Sequence, residues 1–129
     1  MRLGDIDHIT IPVSNLERSL KFYVGILGLN QLPKPDYLRR GAWLAGEGGR
    51  PRINLTTKTP PKPECGGRLE PTDRHLAFLV DDYEKAKSLL ESHGIATHEI
   101  QHRSDTPREL FFVDPDGHLL EIRSALWPG

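Results

Sequence analysis

The sequence predicts an α+β fold built from two tandem βαβββ modules, with mixed sheets that form a cup. Three observations carry this reading. The stretch "DHITIPVSNLERSLKFY" lies over "RHLAFLVDDYEKAKSLL" at one fixed offset, so that His8 falls on His75 (75 − 8 = 67), Val13 on Val80 and Glu17 on Glu84. Further along, "RINLT" falls on "LLEIR" at the same offset, which puts Asn54 where Glu121 stands (121 − 54 = 67). Each half also reads in the same order: a β-rich segment, one segment of helical period, then three short strands.

In the first half, "IDHITIPV" (6–13) is rich in Ile, Thr and Val and predicts a strand. Ser14-x-x-Glu17 has the form of a capping box, in which the hydroxyl accepts from a free helix N–H and the glutamate reaches back. Leu16, Leu20, Tyr23 and Leu27 then recur close to the helical period, and Gly28 is a natural stop. Strands follow around 29–32, 42–46 and 52–57. In the second half, strand 74–80 leads to Asp81-x-x-Glu84, a related cap. Tyr83, Ala86, Leu89, Leu90 and His93 line one helix face, and Gly94 ends it. Strands are expected near 96–102, 108–113 and 118–124. The turn Asp114-Pro115-Asp116-Gly117 joins the last two.

The Pro/Gly-rich run "KTPPKPECGGRLEPTD" is fit for a linker. The expected layout is a single domain, 1–129, with an N-terminal module at 5–57, a linker at 58–72 and a C-terminal module at 73–125. Cys65 falls in the linker and reads as a surface thiol; a single cysteine excludes an intramolecular disulfide.

Composition narrows the function. A net charge of −1 gives no electrostatic footprint for nucleic acid. No apolar run approaches the roughly 18 residues that a membrane span needs. The opening MRLGDIDHIT has no apolar core of a secretory signal, so the expectation is a cytoplasmic protein that acts on a small molecule.

The candidate chemistry rests on His8, His75 and Glu121. A carboxylate in the apolar run "HLLEI" is costly unless a cation or hydrogen bonds compensate it. Taken singly, His8 and His75 are ordinary strand-start histidines. Taken with the repeat, two imidazoles and one carboxylate suit a divalent ion (Fe, Mn, Ni, Co or Zn) with coordination positions left for substrate. His118 lies three residues before Glu121 and points to the other face by strand alternation, so it reads as structural. Asn54, Arg108 and Trp43 are candidate substrate-binding residues: a neutral amide, a cation able to clamp a carboxylate, and an aromatic wall. Phe111 is a further candidate for the pocket lining.

"DHITIPVSNLERSLKFYVGILGL" and "FFVDPDGHLLEI" resemble the opening strand and helix and the closing hairpin of the vicinal oxygen chelate superfamily. This is the group of glyoxalase I, fosfomycin resistance proteins, methylmalonyl-CoA epimerase, extradiol dioxygenases and bleomycin resistance proteins. The resemblance covers nearly the whole chain. It implies a glyoxalase-like fold, and it carries the family's metal ligands onto His8, His75 and Glu121, with Glu121 as the catalytic carboxylate. At the position of Asn54, glyoxalase I holds a fourth ligand, a glutamate. An amide there leaves two neutral imidazoles and one carboxylate around a dication, net +1, which favours an anionic ligand bound through two oxygens and removes one candidate general base.

The implied function is a metal-dependent enzyme, a lyase or isomerase, thiol transferase or dioxygenase, that chelates a small substrate through adjacent oxygens and stabilises an enolate or oxyanion. The alternative is a metal-free, drug-sequestering protein of the bleomycin resistance type; a third reading is a metal-binding regulatory domain without turnover. The resemblance also implies a homodimer. Specificity is expected from the loops at 33–41 and 101–108 and from the linker.

Overall fold

A computed structural model describes residues 1–63 and 66–124. Cys65 and position 125, the expected end of the second module, lie outside the described residues. The chain separates into two compact units, Met1–Pro61 and Lys62–Gly129. Each repeats the order strand, helix, three strands. No described helix is long and apolar enough to cross a membrane.

The first unit contains β1 (Ile9–Pro12), α1 (Leu16–Leu20, continued by a π-helical segment Lys21–Ile26), β2 (Asn30–Leu32), β3 (Gly41–Ala45) and β4 (Pro51–Thr56). Its sheet runs β1-β4-β3-β2, with β1 parallel to β4 and the other pairs antiparallel. Alternation assigns Ile11, Ile53, Leu55, Ala42 and Leu44 to one face, all buried. Phe22 and Tyr23 of the helical segment are buried too, in edge-to-face contact at 5.2 Å. The opposite face carries the row Thr10, Asn54 and Trp43. Gly41 is required where it stands: a Cβ there would lie 2.3 Å from the Leu55 carbonyl oxygen.

Two local expectations need correction. The cap of α1 is Asn15, not Ser14: Asn15 is extended and its side chain accepts from the Arg18 N–H at 2.9 Å. Ser14 Oγ accepts instead from the Arg18 guanidinium at 2.8 Å. The second helix shows the same one-residue slip, with Asp82 rather than Asp81 accepting from the Lys85 N–H at 3.0 Å. Asn and Asp cap as well as Ser does, so adjacent candidates compete and geometry decides. The second correction concerns period. Leu27 N–H donates to Phe22 O, five residues back, and each such wide turn rotates the helix face. The buried stripe is therefore Ser19, Phe22 and Tyr23 rather than Leu16, Leu20, Tyr23 and Leu27. Gly28, at φ 77°, ends the segment.

The second unit contains β5 (Leu76–Leu79), α2 (Tyr83–Ser92), β6 (His98–Ile100), β7 (Glu109–Val113) and β8 (Leu119–Arg123). The sheet order is β5-β8-β7-β6, again with the first pair parallel. All of β8 is buried. Leu110, Phe112, Leu120 and Ile122 form one apolar face, each side chain worth about 1.5–3 kcal/mol on full burial. The Tyr83 hydroxyl (α2) donates to Glu99 Oε2 (β6) at 2.8 Å, and Lys87 Nζ donates to the same oxygen at 3.2 Å, which ties helix to sheet. The other face carries Glu109, Phe111, Leu119, Glu121 and Arg123.

The β7–β8 turn sets which side chains reach that face. Asp114, 4% exposed, accepts through Oδ1 from the N–H groups of Asp116 and His118, both at 2.9 Å. Its own N–H donates to His118 O at 2.9 Å. Gly117 closes the turn at φ 89°, where a Cβ would also meet Gly67 Cα at 3.1 Å. This turn pairs Val113 with Leu119 and hence Phe111 with Glu121. A one-residue slip would turn Glu121 into the apolar face.

Candidate metal centre

His75 stands one residue before β5, and Glu121 is the central residue of β8, beside Ala77 in the parallel pair. Alternation along β5 puts His75 on the face of Ala77, where Nε2 lies 3.6 Å from Glu121 Oε2. Two donors sharing one ion at bonds of about 2.0–2.1 Å span such a separation. His75 Nδ1 is 2.8 Å from the carbonyl oxygen of Asp73. A carbonyl only accepts, so Nδ1 donates to it, and Nε2 is the ring nitrogen that faces Glu121. Phe111 meets the imidazole edge-on at 5.1 Å and fixes the ring plane.

The cavity above this pair, about 280 Å³, is also lined by Glu109, His102 and Arg123. Glu109 is buried, with Oε2 3.3 Å from His102 Nε2 and Oε1 4.0 Å from Arg123 Nη1. Burial, together with the neighbouring Glu109 carboxylate, pushes the Glu121 carboxyl above its ordinary range; His75 and Arg123 oppose the shift. A buried acid disfavoured as an anion and facing an imidazole nitrogen at 3.6 Å is a donor set that a divalent cation would satisfy. The residues of this unit therefore fit the implied metal.

Two of these residues, Glu109 and His102, were not anticipated as part of the site. Glu109 could have been found by counting: it lies two residues before Phe111 on the same strand and registers against Arg123, which shares a face with Glu121.

His8 belongs to the first unit and stands one residue before β1, as His75 does before β5. Its Nδ1 donates to Asp7 Oδ2 at 2.7 Å. The imidazole beside Asp7 holds that carboxyl below its usual value, with Arg50 and Arg52 adding to the effect. His8 Nε2, like that of His75, is the ring nitrogen not committed to this bond. Asn54 pairs with Thr10 on β1, just as Glu121 pairs with Ala77 on β5. Asn54 and Trp43 register opposite each other and line a separate cavity of about 180 Å³ within the first unit. Among the described residues, no group of three or more His, Cys, Asp or Glu converges on one point.

Arg108 sits elsewhere. Its guanidinium stacks on the Tyr83 ring at 4.3 Å and donates to Glu84 Oε1, on the helix side of the second sheet, and it does not line the cavity above Glu121. His118 contributes its backbone N–H to the Asp114 turn.

Comparison with known proteins supplies the family. Residues 5–122 match the Glyoxalase/Bleomycin resistance protein/Dioxygenase superfamily. The chain is 28% identical over 128 residues to Glyoxylase I 4 of Arabidopsis thaliana, covering 95% of this chain and 71% of that protein. It is 29% identical over 127 residues to the metallothiol transferase FosB of Staphylococcus haemolyticus (strain JCSC1435), covering 93% and 83%. Among solved structures, a glyoxalase/dioxygenase from Nostoc punctiforme superposes with a TM-score of 0.75 at 28% identity, over 95% of this chain and 92% of that one. With the duplicated βαβββ order and its mixed sheets, these matches place the chain in the Glyoxalase/Bleomycin resistance protein/Dioxygenase superfamily.

Proposed function

We propose that the protein is a metal-dependent enzyme that holds a small substrate through two adjacent oxygens, with His8, His75 and Glu121 as ligands of one divalent ion. One observation carries this reading. Each histidine commits Nδ1–H to a local acceptor, the Asp7 carboxylate at 2.7 Å or the Asp73 carbonyl at 2.8 Å, and so keeps its Nε2 lone pair for a cation. Metal-ligating histidines are oriented by partners of this kind. The relatives named for glyoxylase I and for metallothiol transfer support the same reading.

When bound, the ion supplies Lewis acidity, polarising the substrate oxygens and stabilising negative charge that develops on them. The chain's own residues do the rest. Asp7 and the Asp73 carbonyl hold the imidazole tautomers. Phe111 packs on His75, and the Asp114 turn aims Glu121. Glu109 gives the Glu121 cavity a second carboxylate, a proton acceptor that the amide of Asn54 cannot be. His102 Nε2 and Arg123 Nη1 stand beside the Glu109 carboxylate at 3.3 and 4.0 Å. Isomerisation, thiol transfer and oxygen chemistry differ in the co-substrate admitted to this arrangement.

Metal content, measured by mass spectrometry on protein purified without chelator, tests the proposal beside a His75→Ala control. The expected result is about one transition metal per chain, lost in the control. No uptake after incubation with Fe, Mn, Ni, Co or Zn ions would reject the metal centre and leave small-molecule sequestration.

A further inference from the structure

The Pro/Gly-rich run continues into the second unit, where residues 67–73 are seated on the β7–β8 hairpin. Gly67 lies so close to the turn that a Cβ on Gly117 would stand 3.1 Å from Gly67 Cα. Two residues on, Leu69 packs against the buried cluster of Phe111 and Leu119. Residues 70–73 then form a β-turn, in which the Asp73 N–H donates to Glu70 O at 3.0 Å and Pro71 takes the position that favours proline. The Glu70 carboxylate braces the same turn: Oε1 accepts from the Thr72 hydroxyl at 2.8 Å and from the Thr72 N–H at 3.3 Å. The hydroxyl, then the N–H, hold the Glu70 carboxyl below its ordinary value. The turn ends on Asp73, whose carbonyl accepts from His75 Nδ1 at 2.8 Å.

We infer that residues 67–73 are the mount of His75, with Leu69 and Glu70 as positioning residues that aim its imidazole at Glu121. His75 precedes β5, so the sheet ladder does not fix it. Its ring is held by the Asp73 carbonyl, and a carbonyl can orient a ring only while its own peptide plane is fixed. The turn at 70–73 fixes that plane, and Glu70 removes freedom that the turn would otherwise keep. Leu69 supplies the anchor. It packs on the cluster that contains Phe111, the ring that meets His75 edge-on at 5.1 Å. Pro71 and Thr72 also line the cavity beside Glu121. One short segment is thus both a wall of the site and the support of its histidine.

The consequence for metal affinity rests on the reading of His75 as a ligand; the orientation of the ring does not, and the test reads the two separately. Two-bond proton–nitrogen NMR spectra are recorded on metal-free, nitrogen-15-labelled protein at about pH 8.5, where a free imidazole is neutral. The His75 ring signals are identified by their loss in His75→Ala. The unsubstituted protein should show the Nδ1–H tautomer. Glu70→Ala and Leu69→Ala should each turn it into a mixture of tautomers and weaken zinc binding about tenfold, read by competition with a chromophoric chelator. Glu70→Gln, whose amide oxygen can still accept from Thr72, should keep both properties. Val113→Ala trims the same apolar cluster from outside the segment. It should lower the melting temperature and leave the His75 pattern and the zinc affinity unchanged. An unchanged His75 pattern in Glu70→Ala would overturn the inference. So would equal losses in Val113→Ala, since general packing would then explain them. Failure of every form to take up zinc, with the His75 pattern responding as described, would remove the metal reading and leave the mount standing.

Discussion

The two units share one topology and load it oppositely. Thr10–Asn54 in the first sheet and Ala77–Glu121 in the second are the same parallel pairing, 67 residues apart (77 − 10 and 121 − 54). The first sheet puts an amide and three cations around its cavity, with Thr10 exposed and Trp43 half-buried. The second puts Glu109, Glu121 and Arg123 into a face almost closed to water. A strand-helix-three-strand frame fixes where a side chain lands and says little about its charge. The chemistry is decided at the face pointing away from the helix, where packing asks least of the sequence.

The effect that bears most directly on this asymmetry, a reversal of sign, is expected at Glu121. In chelator-treated protein, Glu121→Gln removes a disfavoured buried charge and should raise the melting temperature, by an amount equivalent to about 1 kcal/mol. In metal-loaded protein the same substitution should lower it and release the ion. Calorimetric scans of both forms check the sign reversal. The same sign in both forms would show that Glu121 binds no cation.

The hairpins that deliver Asn54 and Glu121 differ as well. The β3–β4 connection is a Gly46–Gly49 turn with one backbone bond at 3.1 Å and a bulge at Leu44/Ala45. The β7–β8 turn is organised by the buried Asp114 side chain. Asp114→Ala leaves two N–H groups without their acceptor and should cost about 2 kcal/mol in denaturant melts, with weaker metal retention. Unchanged stability would mean that the turn residues with positive φ suffice.

The smallest effect is on the helix side, where the second unit has Tyr83–Glu99–Lys87 and the first has an exposed Lys21–Glu17 pair at 3.7 Å. The Tyr83 hydroxyl, then Lys87, hold the Glu99 carboxyl below its ordinary value. A lowered folded-state value means stabilisation that is present above the unfolded value near 4.5 and is lost as the pH falls through the folded one. Glu99→Gln should therefore cost under about 1 kcal/mol at pH 7, since the carboxylate is a third exposed, and nothing once the wild-type group is protonated. A gap that persists at pH 2 would point to packing rather than charge.

Much of the fold was legible because it is written twice. The offset, the two stop glycines and the Asp-Pro-Asp-Gly turn each have one physical meaning, and six of the eight strands fall within the expected segments, while β3 and β4 each begin one residue earlier, at Gly41 and Pro51. The helix caps slipped by a residue because Ser14-Asn15 and Asp81-Asp82 each offer two competent caps. The wide turns after Leu20 were invisible because hydrogen bonds to the fifth residue back leave no compositional mark. At the site, the repeat put His75 at a strand start and Glu121 late in the last strand, and the parallel pairing of β5 with β8 is what brings the two to 3.6 Å. Glu109 and His102 were not, since an acid and a histidine near a loop look like solvated surface until the register places them. Arg108 looked like a substrate clamp on charge alone. The position next to Glu109 points to the helix side, where Tyr83 and Glu84 engage it.

The two histidine supports differ in what heredity can reach. Asp7 holds His8 with a carboxylate, which a single codon change can neutralise, shorten or remove. Asp73 holds His75 with its main-chain carbonyl, present whatever residue is encoded there. One imidazole is thus open to gradual adjustment of its donor strength, and the other is insulated from it. Divergence within such a lineage can retune the first histidine while the second keeps its tautomer through every substitution that preserves the backbone.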